Sequence, residues 1–261
     1  MKRIFTIMIA VLSGMGVVAA QSKQVINTTE QMVELNASLP VNLTLVDAAS
    51  HRAIAEIPSS AAEWVVLEFD NGELTVRAQR GYENKVAKLL ENNPINLRIE
   101  SSAMRCINNS GEIHLTYKNR RLARFEINNA GIVTWNDGRL EIGYLEINNS
   151  GVFRLRAQKV TADTIEINNA GRWLCSVCTF YCVHWEHNNS GVNDVKSTVE
   201  AKSVECNSAG CELMKLNVAC EDLEINSTGI GQMEFSGTAD NIEVSSTGRT
   251  TISTSAVNAA K

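Results

Sequence analysis

Eight glycines fall at positions 111, 131, 151, 171, 191, 210, 229 and 248, at intervals of 20, 20, 20, 20, 19, 19 and 19 residues. The text around them recurs. Ile107-Asn108-Asn109-Ser110-Gly111 returns as Ile127-Asn128-Asn129-Ala130-Gly131, Ile147-Asn148-Asn149-Ser150-Gly151 and Ile167-Asn168-Asn169-Ala170-Gly171. It then drifts through His187-Asn188-Asn189-Ser190-Gly191 and Cys206-Asn207-Ser208-Ala209-Gly210 to Val244-Ser245-Ser246-Thr247-Gly248. A period held to within one residue over eight copies means stacked units.

Leu145-Glu146-Ile147-Asn148 and Val152-Phe153-Arg154-Leu155-Arg156 alternate apolar and polar residues on either side of the glycine. Period two is the strand signature, and the Asn-Asn-Ser-Gly between them is turn chemistry, with glycine read as supplying positive φ. The repeat is too short for a pair of helices and lacks a leucine-rich frame. The expected fold is therefore all-β: a single-stranded β-helix, or β-solenoid, of about eight coils of 19–20 residues. Equivalent residues then stack in columns roughly 4.8 Å apart.

Two columns are expected to face inward: Phe125, Leu145, Ile165, Trp185, Val204, Leu223 and Ile242, and Ile107, Ile127, Ile147, Ile167, His187, Cys206, Ile225 and Val244. By alternation Asn109, Asn129, Asn149, Asn169 and Asn189 also point inward, at the corner. A buried polar column is costly unless bonded, and stacked amides can bond to one another up the column, so this ladder reads as structural. Glu126, Glu146, Glu166, Glu186, Glu205, Glu224 and Glu243 share the position before the inward column and so face outward. Neighbouring charges about 4.8 Å apart repel by roughly 0.9 kcal/mol in water and about four times that at a dielectric of 20. Asn or Lys/Arg neighbours, raised pKa values or a bound divalent cation would relieve this. The row reads as a solvated column, or as a contact surface for a basic partner or cations.

Before residue 100 the repeat is absent, but residues 41–45, 64–69, 73–76 and 95–99 look like strands, Asp70-Asn71-Gly72 like a hairpin turn, and 86–90 like a short helical or irregular segment. Residues 21–100 are expected to form a β-rich N-terminal cap, and 101–261 the coils, ending in a polar coil with Arg249, Thr250, Thr251, Ser253 and Thr254. Residues 1–20 read as a cleaved signal peptide: Lys2 and Arg3, an apolar run from Ile4 to Val18, then Ala19-Ala20. That implies export to a periplasm, the outer-membrane surface or the medium, with no membrane span after cleavage. The net charge of −5 argues against a nucleic-acid partner.

The order of a leader, Leu-Pro-Val-Asn-Leu-Thr-Leu (39–45), Gly72-Glu73-Leu74-Thr75-Val76, Pro94-Ile95-Asn96-Leu97-Arg98-Ile99 and then Asn-rich glycine repeats resembles the GIN-domain family. That family is labelled an autotransporter-adhesin head domain and is known from secreted Bacteroidota proteins. The resemblance covers roughly residues 25–250. It implies a right-handed β-helix without a catalytic motif to carry over.

Other chemistry is weaker. Glycoside hydrolysis needs two carboxylates about 5–10 Å apart in a cleft, and every neighbouring pair of the glutamate column meets that distance. A catalytic pair differs from its surroundings, whereas this column is uniform. Cys175, Cys178, Cys182, His184 and His187 fall within one coil and could supply a tetrahedral zinc site, a disulfide, or thiols filling a wider core. Seven cysteines is an odd number, so at least one thiol is free or paired between molecules. The expectation is a secreted or envelope protein that is not an enzyme and needs no cofactor, presenting an adhesin-like or scaffolding surface to a glycan or cell-surface protein. A carbohydrate-active β-helix enzyme and a metal- or redox-responsive envelope protein are the alternatives. The sequence does not fix an oligomeric state.

Overall fold

The computed structural model describes residues 10–11, 21–118 and 121–259, and the chain divides into two compact units, 1–119 and 120–261. The signal-peptide reading falls almost wholly outside the described residues; of residues 1–20, only Ala10–Val11 is described, as a short strand beside Ser22 and Lys23.

In the first unit Val41–Val46 lies parallel between Ile95–Glu100 and residues 113–118. Glu34–Ala37 likewise lies parallel to residues 73–76 and to Cys106–Asn109. The strands expected near 41–45, 64–69, 73–76 and 95–99 are all present. The Asp70–Glu73 hairpin turns on Asn71 and Gly72, with φ of 50° and 85°. Glu83–Leu90 is a helix whose Val86 and Leu90, four residues apart, are buried together. The sequence reading missed Gln21–Asn27, Glu34–Ala37 and Arg52–Pro58. Residues 34–46 are a rung in register with 106–118, but Ser38-Leu39-Pro40 stands where the repeat has Ser110-Gly111-Glu112, so no glycine marks it.

The second unit is the repetitive one, and the fold is a β-solenoid of about 7 turns. Its strands pair in parallel at the repeat spacing: Leu145 with Phe125 and Ile165, Ile165 with Trp185, Trp185 with Val204, Val204 with Leu223. Inward residues of the two strand segments of a coil meet across the core, as Phe125 and Trp135 do at 5.6 Å, and inward residues of successive coils stack up a column, as Phe153 and Trp173 do at 4.9 Å. The change of period from 20 to 19 has a local cause. Arg172–Tyr181 carries a bulge between Ser176 and Cys178, opposite the consecutive pair Lys196–Ser197.

Two expectations are corrected. The glycines at the coil corners do not have positive φ; among the described glycines only Gly72, Gly81, Gly231 and Gly237 do. They are required because successive coils approach backbone to backbone: a Cβ on Gly171 would lie 2.1 Å from the Gly151 carbonyl oxygen. The inward columns also end one coil early. Ile242 and Val244 are 42% and 45% exposed. The last strand, Arg249–Asn258, pairs with residues 230–238, and no described strand covers 241–246 on that side.

Candidate functional site

The seven glutamates stand in one register along a sheet of the second unit, Glu126 beside Glu146, then Glu166, Glu186, Glu205, Glu224 and Glu243. What relieves their repulsion is a second asparagine column that the sequence reading named only as a class of neighbour. In each coil the asparagine two residues on donates one amide hydrogen to its own glutamate Oε1. The distances for Glu126, Glu146, Glu166, Glu186, Glu205 and Glu224 are 2.8, 3.0, 2.7, 2.7, 2.6 and 2.7 Å. From Asn148 onward it also donates to the asparagine of the coil before: Asn148 to Asn128, Asn168 to Asn148, Asn188 to Asn168, Asn207 to Asn188 and Asn226 to Asn207, at 2.9–3.1 Å. Both amide hydrogens are therefore used. The row stops at Glu243, where Ser245 replaces the asparagine.

Cations and hydroxyls settle only the first carboxylates. Arg124 reaches Glu146 at 2.6 Å and Glu126 at 3.8 Å. The Tyr144 hydroxyl donates to Glu166 at 2.6 Å, which with the Asn168 amide lowers the glutamate's pKa and raises that of the tyrosine to about 12. Glu186, Glu205 and Glu224 have no ion pair among the described residues. Beside this sheet, a shallow groove of about 450 Å³ follows the corner between Asn168, Asn188, Asn207 and Asn226 and the turn residues Ala170, Ser190, Ala209 and Thr228.

The inner asparagines behave differently. Asn129, Asn149, Asn169 and Asn189 are each 3% exposed, and the first three donate to the next at 2.7, 2.7 and 2.8 Å. Asn149 also donates to the carbonyls of Gly151 and Arg172, so the amide holds the corner of its own coil and of the next. Asn109, in the first unit, is buried as well and bonds the backbone of Gly111 in both directions.

This inner column ends on a group the sequence reading missed. Ser208 follows Asn189 in register, and Asn189 turns its amide to the buried carboxyl of Glu212 at 3.3 Å. Asn193 donates to Glu212 at 2.8 Å and to His187 Nε2 at 2.8 Å. Since that nitrogen accepts, the ring proton sits on Nδ1, which is buried without a partner, as is Asn193 Oδ1. Burial raises the Glu212 pKa to about 7 against the asparagine hydrogen bonds, and lowers that of His187 to about 4. The signal was present in the sequence. The column two residues after each glycine reads Val133, Phe153, Trp173, Asn193, Glu212, Gly231, Thr250, a polar run in an inward position.

The five Cys and His residues considered for metal are not brought together, and no group of three or more metal-ligating side chains occurs among the described residues. His187 is in the core between Trp173 and Trp185, whereas His184 is exposed and bonded to the Ser203 hydroxyl at 2.8 Å. Cys175 and Cys178 are buried against each other, which with desolvation pushes the Cys178 thiol up; burial alone pushes Cys182 up to about 12. All seven cysteines are free thiols, Cys211 being the exposed one. Glu212 is the one carboxyl with a raised pKa among those with resolved shifts, and it is in the core rather than in a groove.

Residues 185–261 match the protein family described as "Putative auto-transporter adhesin, head GIN domain", so the resemblance read from the sequence is found again over the last coils. The solved structures it resembles include a "putative adhesin" from Parabacteroides merdae, 12% identical with a TM-score of 0.57, covering 92% of this chain and 96% of that one. Another is a "putative lipid binding protein" from Parabacteroides distasonis, 16% identical with a TM-score of 0.57, covering 92% and 97%. At those identities the likeness is one of fold. No curated protein matches the chain. No helix among the described residues is long and apolar enough to cross a membrane.

Proposed function

We propose that this chain is an exported, non-enzymatic, adhesin-like protein that binds a glycan or a cell-surface protein along its glutamate–asparagine sheet and the adjoining groove. The observation that carries the reading is the double row of side chains. Each asparagine uses both hydrogens to fix its neighbours, so Glu186, Glu205 and Glu224 repeat one geometry at the coil spacing of about 4.8 Å. Such a row is pre-organised, so a ligand that also repeats can bind without first ordering the side chains. Uniformity speaks against catalysis at Glu186, Glu205 and Glu224, because none of these three is set apart from the others. The adhesin description of the matched family points the same way.

The test is a binding screen of glycans and cell-surface proteins, run with calcium and with chelator, on the chain and on a Glu186→Gln/Glu205→Gln/Glu224→Gln variant. Binding that weakens at least tenfold in the variant supports the reading. Saturable turnover of a polysaccharide by the purified protein, or binding indifferent to the variant, overturns it.

A further inference from the structure

The two sheets that follow one another around each coil of the second unit differ in charge. The glutamate-bearing sheet carries no lysine or arginine from Thr164–Asn169 onward. The next sheet, built from Val152–Thr161, Arg172–Tyr181, Val192–Glu200 and residues 211–219 and 230–238, carries Arg154, Arg156 and Lys196 facing outward with no ion pair among the described residues. Its outward carboxylates are Asp194, Glu200 and Glu234, and Lys215 holds Glu234 at 2.8 Å. On this basic sheet also stand Val192, Leu213 and Ile230, 47%, 45% and 57% exposed, three of the seven large apolar side chains most open to water among the described residues.

We propose that the basic, partly apolar sheet docks onto the glutamate-bearing sheet of a second copy of this chain, so that copies associate side by side through unlike faces. Three features of the molecule meet in this. The charges are complementary, the unpaired cations Arg154, Arg156 and Lys196, set apart from one another by Leu174, Asp194 and Ser176 in register, against the unpaired Glu186, Glu205 and Glu224. Both sheets are cut from the same coils and share one rung spacing, so cations a whole number of rungs apart on one sheet can meet glutamates the same distance apart on the other. The exposed aliphatics supply non-directional affinity, while the charges set register and orientation. The glutamate-bearing strands are 6 residues long, so five strands at about 4.8 Å by six residues at about 3.3 Å give about 480 Å² per side, the size of a weak or transient contact rather than of a standard interface at roughly 800 Å². Because the faces differ, each docked copy leaves one of each free, and association continues rather than closing at a dimer.

The test is sedimentation of the full chain over a concentration series at about 50 and about 500 mM salt, where surface charges are respectively felt and screened. The expected result is concentration-dependent association at low salt that weakens at least tenfold at high salt. Arg156→Glu/Lys196→Glu and Glu186→Lys/Glu205→Lys, each checked for a native β spectrum, should each fail to self-associate, and a mixture of the two should associate again. Ile230→Ser, which leaves every charge in place, should weaken association without changing its salt dependence. A wild-type chain that stays monomeric at about 100 µM and low salt, reversed-charge variants that do not rescue each other, or capture of a soluble polyanion by the basic sheet of a monomeric chain overturns the proposal. The sedimentation runs contain no ligand, so their outcome is independent of the function proposed above.

Discussion

Asn148 and Asn149 are neighbours with the same side chain, and each belongs to a ladder of amides running the length of several coils. Alternation puts them on opposite sides of the strand. Asn149 is sealed in a corner with its amide bonded to a side chain and two carbonyls, and Asn148 spans a half-exposed row of carboxylates. The bonds are alike in length, but only the outer ones compete with water. A hydrogen bond is worth little net where water can replace it, and its loss is expensive where water cannot enter. The inner ladder therefore holds the coils together, and the outer one arranges what the surface presents.

The sharpest way to break the inner corner is Gly171→Ala. Its Cβ would meet the Gly151 carbonyl at 2.1 Å, and neither backbone can retreat without parting the coils. A loss of about 4 kcal/mol or more, or failure to fold, is expected in urea denaturation. Asn149→Leu should follow at about 3 kcal/mol, since it removes an acceptor of the Asn129 amide and the donor to Asn169 Oδ1 and to the Gly151 and Arg172 carbonyls, and puts an alkyl group among them. A loss below about 1 kcal/mol would mean that the ladder is not a fastening.

Where the inner ladder ends, stability should depend on pH. Glu212 holds its proton more tightly folded, about 7 against 4.5, so its contribution is present below pH 4.5 and is lost as pH rises through 7, by up to about 3 kcal/mol. His187 is held neutral, about 4 against 6.5, so its contribution is present above pH 6.5 and is lost as pH falls through 4. Between about pH 4.5 and 6.5 the two slopes oppose each other. Glu212→Gln should unmask the histidine, giving stability that rises with pH through that interval relative to wild type. Unfolding midpoints at half-unit steps of pH would show this, and identical slopes in variant and wild type would remove Glu212 as the cause. The smallest effect belongs to the outer row. Asn168→Ala should cost less than about 1 kcal/mol in the same urea assay, while freeing Glu166 Oε1 and Asn148 Oδ1.

Most of the solenoid was legible because stacking copies local geometry from rung to rung: once Gly151 and Gly171 are in register, Glu146 must lie beside Glu166. Legibility failed wherever the copying failed. The rung at 34–46 was invisible because Ser38-Leu39-Pro40 lacks the glycine mark. Glu212 was passed over although its column turns polar at Asn193, because a carboxyl in a strand reads as outward unless its parity is followed. Ile242 and Val244 were placed inside by parity, yet parity says which way a side chain points, not whether a strand lies beyond it.

The sequence by itself settled the period, the strand direction and the columns, because these depend on spacing and on turn residues within one coil. The tertiary structure alone decided which amides water can reach, why glycine stands at each corner, and where an acid and a histidine share the core. Those depend on what the next coil and the facing strand place within a few ångströms, and that distance is not written in any one repeat.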